Sequence, residues 1–168
     1  GNFSFDDYFK EEAILWGWTF VVEEMELPEE KLVVSIFEGD DESRQIWTDQ
    51  VGVPEEKIYE YGEEENFWPP NARTQGPNGP CGPCSEIFYD SGEDTGCGRA
   101  NCQPECDCGR FVELWNLVFQ QYDRKEGGVM DPLPRQNIDT GMGLERMARV
   151  IQDVPTNFDI DVFQPLMR

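Results

Sequence analysis

The stretch from residue 111 to residue 119 (FVELWNLVF) gives the strongest strand signal in the chain. A strand that is apolar on both faces is typical of a central position in a sheet, because both of its faces must be covered. Alternation along the strand predicts that Leu114, Asn116 and Val118 share one face. A buried amide without hydrogen bonds costs about 1–3 kcal/mol. We therefore expect Asn116 either to be satisfied by neighbouring backbone or to meet a ligand from the floor of a pocket.

Residues 138–146 (IDTGMGLER) predict the end of a strand that turns through Gly141 and Gly143 into a helix. The helix is predicted by an apolar face at helical spacing, made of Leu144, Met147, Ala148 and Ile151. Arg146 lies in its first turn, where exposed N–H groups favour an anion. An anionic ligand explains this arginine better than helix stability does, and Asp139 adds the opposite charge just ahead of the turn. The pair would suit a ligand with one positive and one negative end; the alternative is a capped helix with a solvated arginine.

The other segments complete the pattern of an α+β domain. Hydrophobic periodicity and the positions of proline and glycine predict, in chain order, a helix at 7–26 that Asp6 or Asp7 would cap, a buried strand at 31–37, a shorter helix from 40 or 41 to about 52, a loop at 60–80, a short strand at 85–90, and an edge segment at 129–138 after a turn at Gly127 and Gly128. Residues 91–109 are rich in glycine and cysteine and nearly free of apolar residues, which predicts an insertion.

Composition and charge exclude several classes of function. The 168 residues suffice for one domain with a core, and they contain no run of 18 apolar residues and no signal-peptide pattern, so we expect no membrane association. The net charge is −22, and residues 1–65 alone hold 20 acidic and 4 basic residues. Such a surface repels phosphate backbones, so we expect no non-specific nucleic-acid binding. The chain has no histidine, which excludes Ser-His and Cys-His nucleophilic catalysis.

All six cysteines lie between residues 81 and 108, and four of them predict a metal site. Cys97, Cys102, Cys106 and Cys108 offer four thiolates within a loop that lacks a core of its own, as a structural Zn²⁺ site requires. The spacing differs from that of a standard zinc knuckle. Free thiols and disulfides are the alternatives, and a non-catalytic zinc-binding interaction module is one possible function.

The remaining two cysteines form the sequence Cys81-Gly-Pro-Cys84, which is the redox sequence of thioredoxin-like proteins. In those proteins a helix follows the first cysteine and lowers the pKa of its thiol. Here residues 85–89 predict a strand, and the usual tryptophan before the first cysteine is missing. A thioredoxin-like redox module is therefore an alternative that the local sequence does not favour.

Four blocks in a fixed order give the chain a family resemblance. They are residues 1–10 (GNFSFDDYFK), 79–90 (GPCGPCSEIFYD), 114–119 (LWNLVF) and 138–146, with residues 66–68 (NFW) between the first two. Together they span nearly the whole chain, and their order and sequences resemble the catalytic domain of alanyl-tRNA synthetases, which are class II aminoacyl-tRNA synthetases. The resemblance implies an antiparallel sheet flanked by helices. It also implies a ligase that activates alanine with ATP and transfers it to the 3′ end of tRNA(Ala) in the cytoplasm.

The resemblance assigns an amino-acid site to five residues. The positions of Asn116 and Val118 line the alanine pocket of the family, and Trp68 matches one of its walls. Asp139 would hold the ammonium group of alanine, and Gly141 would keep the pocket small. A pocket for one methyl group discriminates poorly against glycine and serine, so an editing domain is expected elsewhere in the enzyme.

A second set of residues is assigned to the nucleotide. Lys10 and Arg146 match residues that contact the phosphates of ATP in the family. Glu86 is either a ligand of Mg²⁺ in the nucleotide site or a solvent-facing residue. Amino-acid activation needs no histidine, because the attacking carboxylate is already ionised and the site has to position it and neutralise charge.

The chain also departs from the family pattern. Asp6 replaces a glycine of the family, which adds negative charge near the ATP site. The first class-defining motif and the first half of the second, with its ATP-binding arginine, would lie upstream. We therefore expect residues 1–168 to be part of the aminoacylation domain of a longer protein, without editing or tRNA-recognition domains. We expect little or no activity from this part alone.

Overall fold

The computed structural model describes residues 1–167, and its centre is one seven-stranded sheet. The strands are β1 (Phe3–Phe5), β2 (Leu32–Phe37), β3 (Ile58–Tyr61), β4 (Phe67–Trp68), β5 (Gly79–Asp90), β6 (Phe111–Arg124) and β7 (Met130–Met142). Their order is β1-β7-β6-β5-β2-β3, and β4 pairs with β5. All pairs are antiparallel except β2 with β3. The predicted α+β class with an antiparallel sheet is confirmed.

Three α-helices accompany the sheet within the described residues. They are α1 (Lys10–Thr19), α2 (Asp41–Gln45) and α3 (Leu144–Ile151). Helices α1 and α2 continue as π-helical turns at Phe20–Glu24 and Ile46–Val51, and short 3₁₀ turns lie at Glu29–Lys31, Glu55–Lys57, Glu93–Thr95, Glu126–Gly128, Asn157–Asp159 and Gln164–Leu166. Helix α1 packs closely on the sheet, since a Cβ at Gly17 would lie 3.5 Å from Leu117 and 3.7 Å from Ile87. This helix-covered face holds the main core.

The first helix begins three residues later than predicted, and Asp6 and Asp7 do not cap it. Asp6 has a left-handed backbone (φ 63°), so the helix cannot include it. The hydroxyl of Ser4 accepts hydrogen bonds from the N–H groups of Asp7 and Tyr8, and the Glu12 carboxylate accepts one from the N–H of Phe9. The chain enters α1 through this turn.

The prediction that Leu114 shares a face with Asn116 and Val118 is wrong. A register shift between β5 and β6 leaves Trp115 opposite Ile87 and Glu113 opposite Phe88, so Leu114 has no partner of its own. Because one extra residue reverses the alternation, Leu114 packs in the main core. Glu113 and Asn116 are thereby brought to the same face.

Three further predictions need correction. Residues 60–80, predicted as a loop, contain the end of β3, all of β4 and the start of β5. The irregular register that follows, between Cys81 and Cys84, accommodates Pro83. Residues 129–138 are not a free edge along their whole length, because β1 pairs with the end of β7 from Asn137 onward. The apolar face predicted for α3 is only partly buried: Met147 is in the core, whereas Leu144 and Ile151 are exposed.

Candidate active site

A row of side chains from three neighbouring strands crosses the sheet face opposite α1. Glu86 of β5 pairs with Asn116 of β6, which pairs with Gly141 of β7. Two residues farther along each strand, Val118 of β6 pairs with Asp139 of β7. Directly paired residues of antiparallel strands point to the same side of a sheet. Four of the residues predicted for the amino-acid and nucleotide sites are therefore neighbours of Asn116.

A hydrogen-bond network links this row to β2 and to the segment before β4. The Nδ2 of Asn66 donates to the Ser35 hydroxyl at 2.8 Å, and that hydroxyl donates to Glu86 Oε2 at 3.0 Å. The Nδ2 of Asn116 donates to Glu86 Oε1, also at 3.0 Å. The amide nitrogen of Asn116 thus has a buried carboxylate, and not backbone, as its hydrogen-bond partner. Its Oδ1 is buried without a partner among the described residues.

Glu86 is the buried acid at the centre of this network, with 8% of its surface exposed. Burial, and secondly the charge of Glu113, raise the pKa of Glu86 to about 8, while the hydrogen bond from Ser35 and the charge of Arg146 oppose the rise. A carboxyl group that titrates near neutral pH inside a cleft is typical of functional sites. The alternative that Glu86 faces solvent is wrong.

Arg146, the third residue of α3, has an anionic partner within the chain. Its Nη1 lies 2.6 Å from Glu113 Oε2 and donates to the Glu113 carbonyl oxygen at 3.2 Å. Glu113 therefore explains an arginine at a helix N-terminus without a ligand. Both side chains keep about a third or more of their surface exposed, at 40% and 33%, so the pair is accessible from solvent.

Glu86 and Arg146 line the same open cavity of about 510 Å³. Seven further residues with polar or charged groups line this cavity, and sequence reasoning predicted none of them: Tyr61, Glu65, Glu105, Asp107, Glu113, Arg149 and Asn157. Glu113 could have been found as the one acid within the apolar strand 111–119. The others lie on separate segments that only the tertiary fold brings together, and their sequence carries no signal of the site.

The other predicted amino-acid-site residues lie beside this cavity and not in its wall. Asn116 adjoins it through Glu86, and Val118, Asp139 and Gly141 continue along the same face. Trp68 is 45% exposed and pairs with Gly82, farther along β5 than Cys84. The structure therefore places Asn116 between Glu86 and Gly141, with the Val118–Asp139 pair next along the strands. Trp68 lies on β4, opposite a residue four positions before Glu86 in β5.

Lys10 is placed apart from Arg146. It is buried at the start of α1, where its ammonium lies 2.6 Å from Asp40 Oδ1 and 3.0 Å from Glu42 Oε2. It lines a separate cavity of about 360 Å³, which shares none of its lining residues with the Glu86–Arg146 cavity. The ion pairs give this lysine a structural role in joining α1 to the N-terminus of α2.

The four cysteines of the insertion converge as the sequence predicts. Their sulfur atoms all lie within 4.8 Å of one another, with 3.7 Å between Cys97 and Cys106 and 3.5 Å between Cys102 and Cys108. Four sulfurs around a tetrahedral Zn²⁺ at about 2.3 Å would be separated by about 3.8 Å. A disulfide would need about 2.05 Å, so none joins these pairs. The donor set and its spacing fit a tetrahedral thiolate-bound metal.

Cys81 and Cys84 have the opposite character to redox-active thiols. Both are buried within β5 and not at a helix N-terminus. Burial raises the pKa of both thiols, most strongly for Cys84, where Glu86 adds to the effect. A reactive dithiol requires a lowered pKa and access to a partner. These features oppose the thioredoxin-like alternative.

Among residues 1–167, no helix combines the length and apolar character needed to cross a membrane.

Comparison with known proteins shows the family to which this chain belongs. Alanine–tRNA ligases of Desulfosudis oleivorans and Petrotoga mobilis are each 54% identical over 168 residues, covering 100% and 99% of this chain and 19% of each relative. That of Alkaliphilus oremlandii is 53% identical over 167 residues, covering 99% of this chain and 18% of the relative. The chain thus spans about a fifth of the length of these relatives. The model of the class II (A) tRNA synthetases matches residues 1–168, and the chain belongs to that family.

Proposed function

We propose that this chain carries the amino-acid-activating site of an alanine–tRNA ligase. In the reaction, the carboxylate of alanine attacks the α-phosphorus of ATP, pyrophosphate leaves, and the alanyl group passes from alanyl-adenylate to the 3′ end of tRNA(Ala). The observation that carries the proposal is the row on one sheet face, in which Asn116 adjoins both Glu86 and the Val118–Asp139 pair. We propose alanine as the substrate because the relatives are named alanine–tRNA ligases.

In this proposal the amino acid binds at the β6–β7 end of the row. The carboxylate of Asp139 holds the ammonium group of alanine, and Val118, paired with Asp139, packs against the methyl group. Gly141 lies opposite Asn116, and the open space beside it, where a Cβ would meet nothing within 4 Å, does not by itself make the pocket small. Trp68 is the outer wall of the pocket.

The nucleotide binds at the Glu86–Arg146 end. The guanidinium of Arg146 exchanges its contact with Glu113 for the phosphates of ATP, which it can do because the ion pair is solvent-accessible. Glu86 would hold Mg²⁺, which neutralises developing phosphate charge when bound. Lys10 has the same predicted role as Arg146 but lines a separate cavity, so in this role its ammonium must leave Asp40 and Glu42 and the nucleotide must extend beyond the Glu86–Arg146 cavity.

The chain's residues would accelerate this reaction by orientation and charge. The carboxylate of the amino acid is ionised at pH 7, so no general base is needed, in agreement with a chain that lacks histidine. Holding the carboxylate in line with the α-phosphorus and meeting the charge of the leaving pyrophosphate are the two tasks.

The amino-acid site can be tested by calorimetric binding of a non-hydrolysable sulfamoyl analogue of alanyl-adenylate to the chain. Asp139→Asn should weaken binding about 100-fold or more, because a charge-assisted contact to an ammonium group is lost. Asp131→Asn, on an exposed part of the same strand, is the matched control and should bind like the wild type. Equal binding by wild type and Asp139→Asn would refute the assignment of Asp139.

We expect the chain alone to catalyse alanine-dependent ATP–pyrophosphate exchange weakly or not at all, because it spans about a fifth of its relatives' length. Exchange at the rate of a full-length alanine–tRNA ligase would contradict this expectation. We place the longer protein in the cytoplasm, with tRNA(Ala) as its partner. The strongly acidic residues 1–65 make non-specific tRNA binding by this part unfavourable.

We also propose that Cys97, Cys102, Cys106 and Cys108 hold a structural Zn²⁺. The sulfur spacings support it, and the insertion has few apolar residues that could otherwise hold it together. Metal analysis of protein purified under reducing conditions should give close to one equivalent of zinc. Cys106→Ser should reduce this content, whereas Cys81→Ser should not. Less than about 0.2 equivalents in the wild type would contradict the site.

A further inference from the structure

The cavity that contains Glu86 and Arg146 has two walls of different origin. One wall is the sheet and α3, which supply Glu86, Glu113 and Arg146. The other is the Cys-rich insertion, which supplies Glu105 and Asp107 together with the cysteine between them. Tyr61 lines the same cavity, and its buried hydroxyl has no hydrogen-bond partner among the described residues. The insertion is therefore part of the candidate active site and not a separate appendage.

The insertion is tied to the sheet at its base. Arg110 forms two hydrogen bonds of 2.7 Å with Asp90, and the Ser91 N–H donates to the Arg110 carbonyl oxygen. Beyond this base, Cys102 packs against the small cluster of Val33, Phe88 and Phe111. Glu105 and Asp107 are each one residue away from Cys106, so whatever fixes that sulfur also fixes both carboxylates.

We propose that the four-thiolate site holds Glu105 and Asp107 as the acidic wall of the cavity, and that these two carboxylates make it select polyphosphate complexed with a divalent cation over the free anion. The inference rests on the proposed nucleotide site and assigns it two specificity-determining residues. It gives the insertion a role in ligand selection in addition to structural support.

The charges that face the cavity support this selectivity. Apart from Glu86, four carboxylates (Glu65, Glu105, Asp107 and Glu113) face the guanidinium groups of Arg146 and Arg149, which leaves a net charge of −2. Without Glu105 and Asp107 the balance is zero. Two charges about 8 Å from a ligand, screened by salt, would change the affinity for ATP⁴⁻ roughly tenfold and that for the half-charged Mg·ATP complex about threefold.

The test measures the dissociation constant of ATP by calorimetry, with Mg²⁺ and in magnesium-free buffer, for the chain and two double variants. Glu105→Gln/Asp107→Asn should tighten binding of free ATP about tenfold and of Mg·ATP about threefold, so the preference for the complex falls about threefold. Glu93→Gln/Asp94→Asn removes the same charge from the same insertion outside the cavity. Its preference should equal that of the wild type. An unchanged preference in the first variant overturns the proposal.

A second arm tests the metal, by hydrogen exchange of the zinc-loaded and zinc-stripped chain. Loss of metal should increase exchange in residues 104–109 and in Tyr61 across the cavity, and should leave β6 protected. Unchanged exchange in 104–109 overturns the proposal that the thiolate site holds the wall. If the wild type binds neither form of ATP, the proposed nucleotide site fails, and this exchange experiment still decides whether the metal fixes the wall.

Discussion

Glu86 is the residue on which the candidate site is organised. It accepts hydrogen bonds from Ser35 and Asn116, it is paired across strands with Asn116, and it lines the cavity with Arg146. A buried carboxyl beside a second acid is costly to ionise, and the hydrogen bond that Ser35 donates offsets only part of that cost. A bound cation would favour ionisation, so ligand binding and proton release at Glu86 are expected to be linked.

The pH dependence of stability should report Glu86 directly. The folded protein keeps the proton on Glu86 up to about pH 8, whereas the unfolded chain releases it near the ordinary value of 4.5. This contribution to the free energy of unfolding is therefore fully present below pH 4.5 and is lost as the pH rises through 8. Glu86→Gln should remove most of this decline, on the order of 4 kcal/mol at most.

Urea unfolding at pH 5 and pH 8 measures this prediction, and the lack of histidine removes the usual titrating background in that range. Glu126→Gln, at an exposed acid, is the matched control and should keep the wild-type decline. A decline of the same size in Glu86→Gln and the wild type would show that Glu86 is not the group responsible.

At the scale of elements, the β5–β6 hairpin carries the site. Its long antiparallel pairing places Glu86 opposite Asn116, and the shift next to Trp115 brings Glu113 onto the same face. The start of β5 lies so close to β6 that a Cβ at Gly82 would be 1.9 Å from the Phe119 carbonyl oxygen. Gly82 is therefore required by close backbone approach, which accounts for the glycine of the Cys-Gly-Pro-Cys sequence without a redox role.

Gly82→Ala should destabilise the protein strongly, because backbone on both strands must move to relieve the overlap. We expect a loss of about 2–4 kcal/mol in the free energy of unfolding. Gly62→Ala, at a glycine with nothing within 4 Å of its would-be Cβ, should change stability by less than about 1 kcal/mol. Chemical denaturation of both variants checks the difference. A mild effect of Gly82→Ala would mean that the two strands can separate here without cost.

The predictable part of these elements is the part governed by local pattern. The strand at 111–119, the turn at Gly127 and Gly128 and the helix after Gly143 follow from periodicity and from backbone freedom at glycine. The extension of β5 through two prolines could not be predicted, because its neighbours β4 and β6 supply the pairing. The bulge that buries Leu114 likewise depends on a partner strand distant in sequence.

At the scale of the whole molecule, the two faces of the sheet have different roles. The helix-covered face buries the core, while the opposite face carries Glu86, Asn116 and Asp139. With a net charge of −22 on 168 residues, the acidic side chains over most of the surface repel one another. The predicted role of Asp139 depends on its closeness to Asn116, and the β6–β7 register supports this by pairing Asp139 with Val118, two residues from Asn116. Loop residues such as Glu105, by contrast, could be identified only from the fold.

Salt should stabilise this protein by screening that repulsion. Between about 0.05 and 0.5 M NaCl the Debye length shortens from roughly 14 to 4 Å, so repulsion among the acids of residues 1–65 weakens more than the short ion pairs do. We expect the melting temperature to rise by several degrees, measured by scanning calorimetry. A melting temperature that stays constant or falls would indicate that ion pairs such as Lys10–Asp40 outweigh the general repulsion.

The ion pair between Asp90 and Arg110 closes the base of the insertion, at the end of the β5–β6 hairpin. At this place residues can be inserted or deleted without moving the paired strands. Replacing everything between these two residues with a tight turn would keep Glu86 opposite Asn116. Such a shortened protein would fold around an uncovered cleft. Length variation at this one place would therefore alter how ligands enter and which are admitted, and would leave the chemistry of the row untouched.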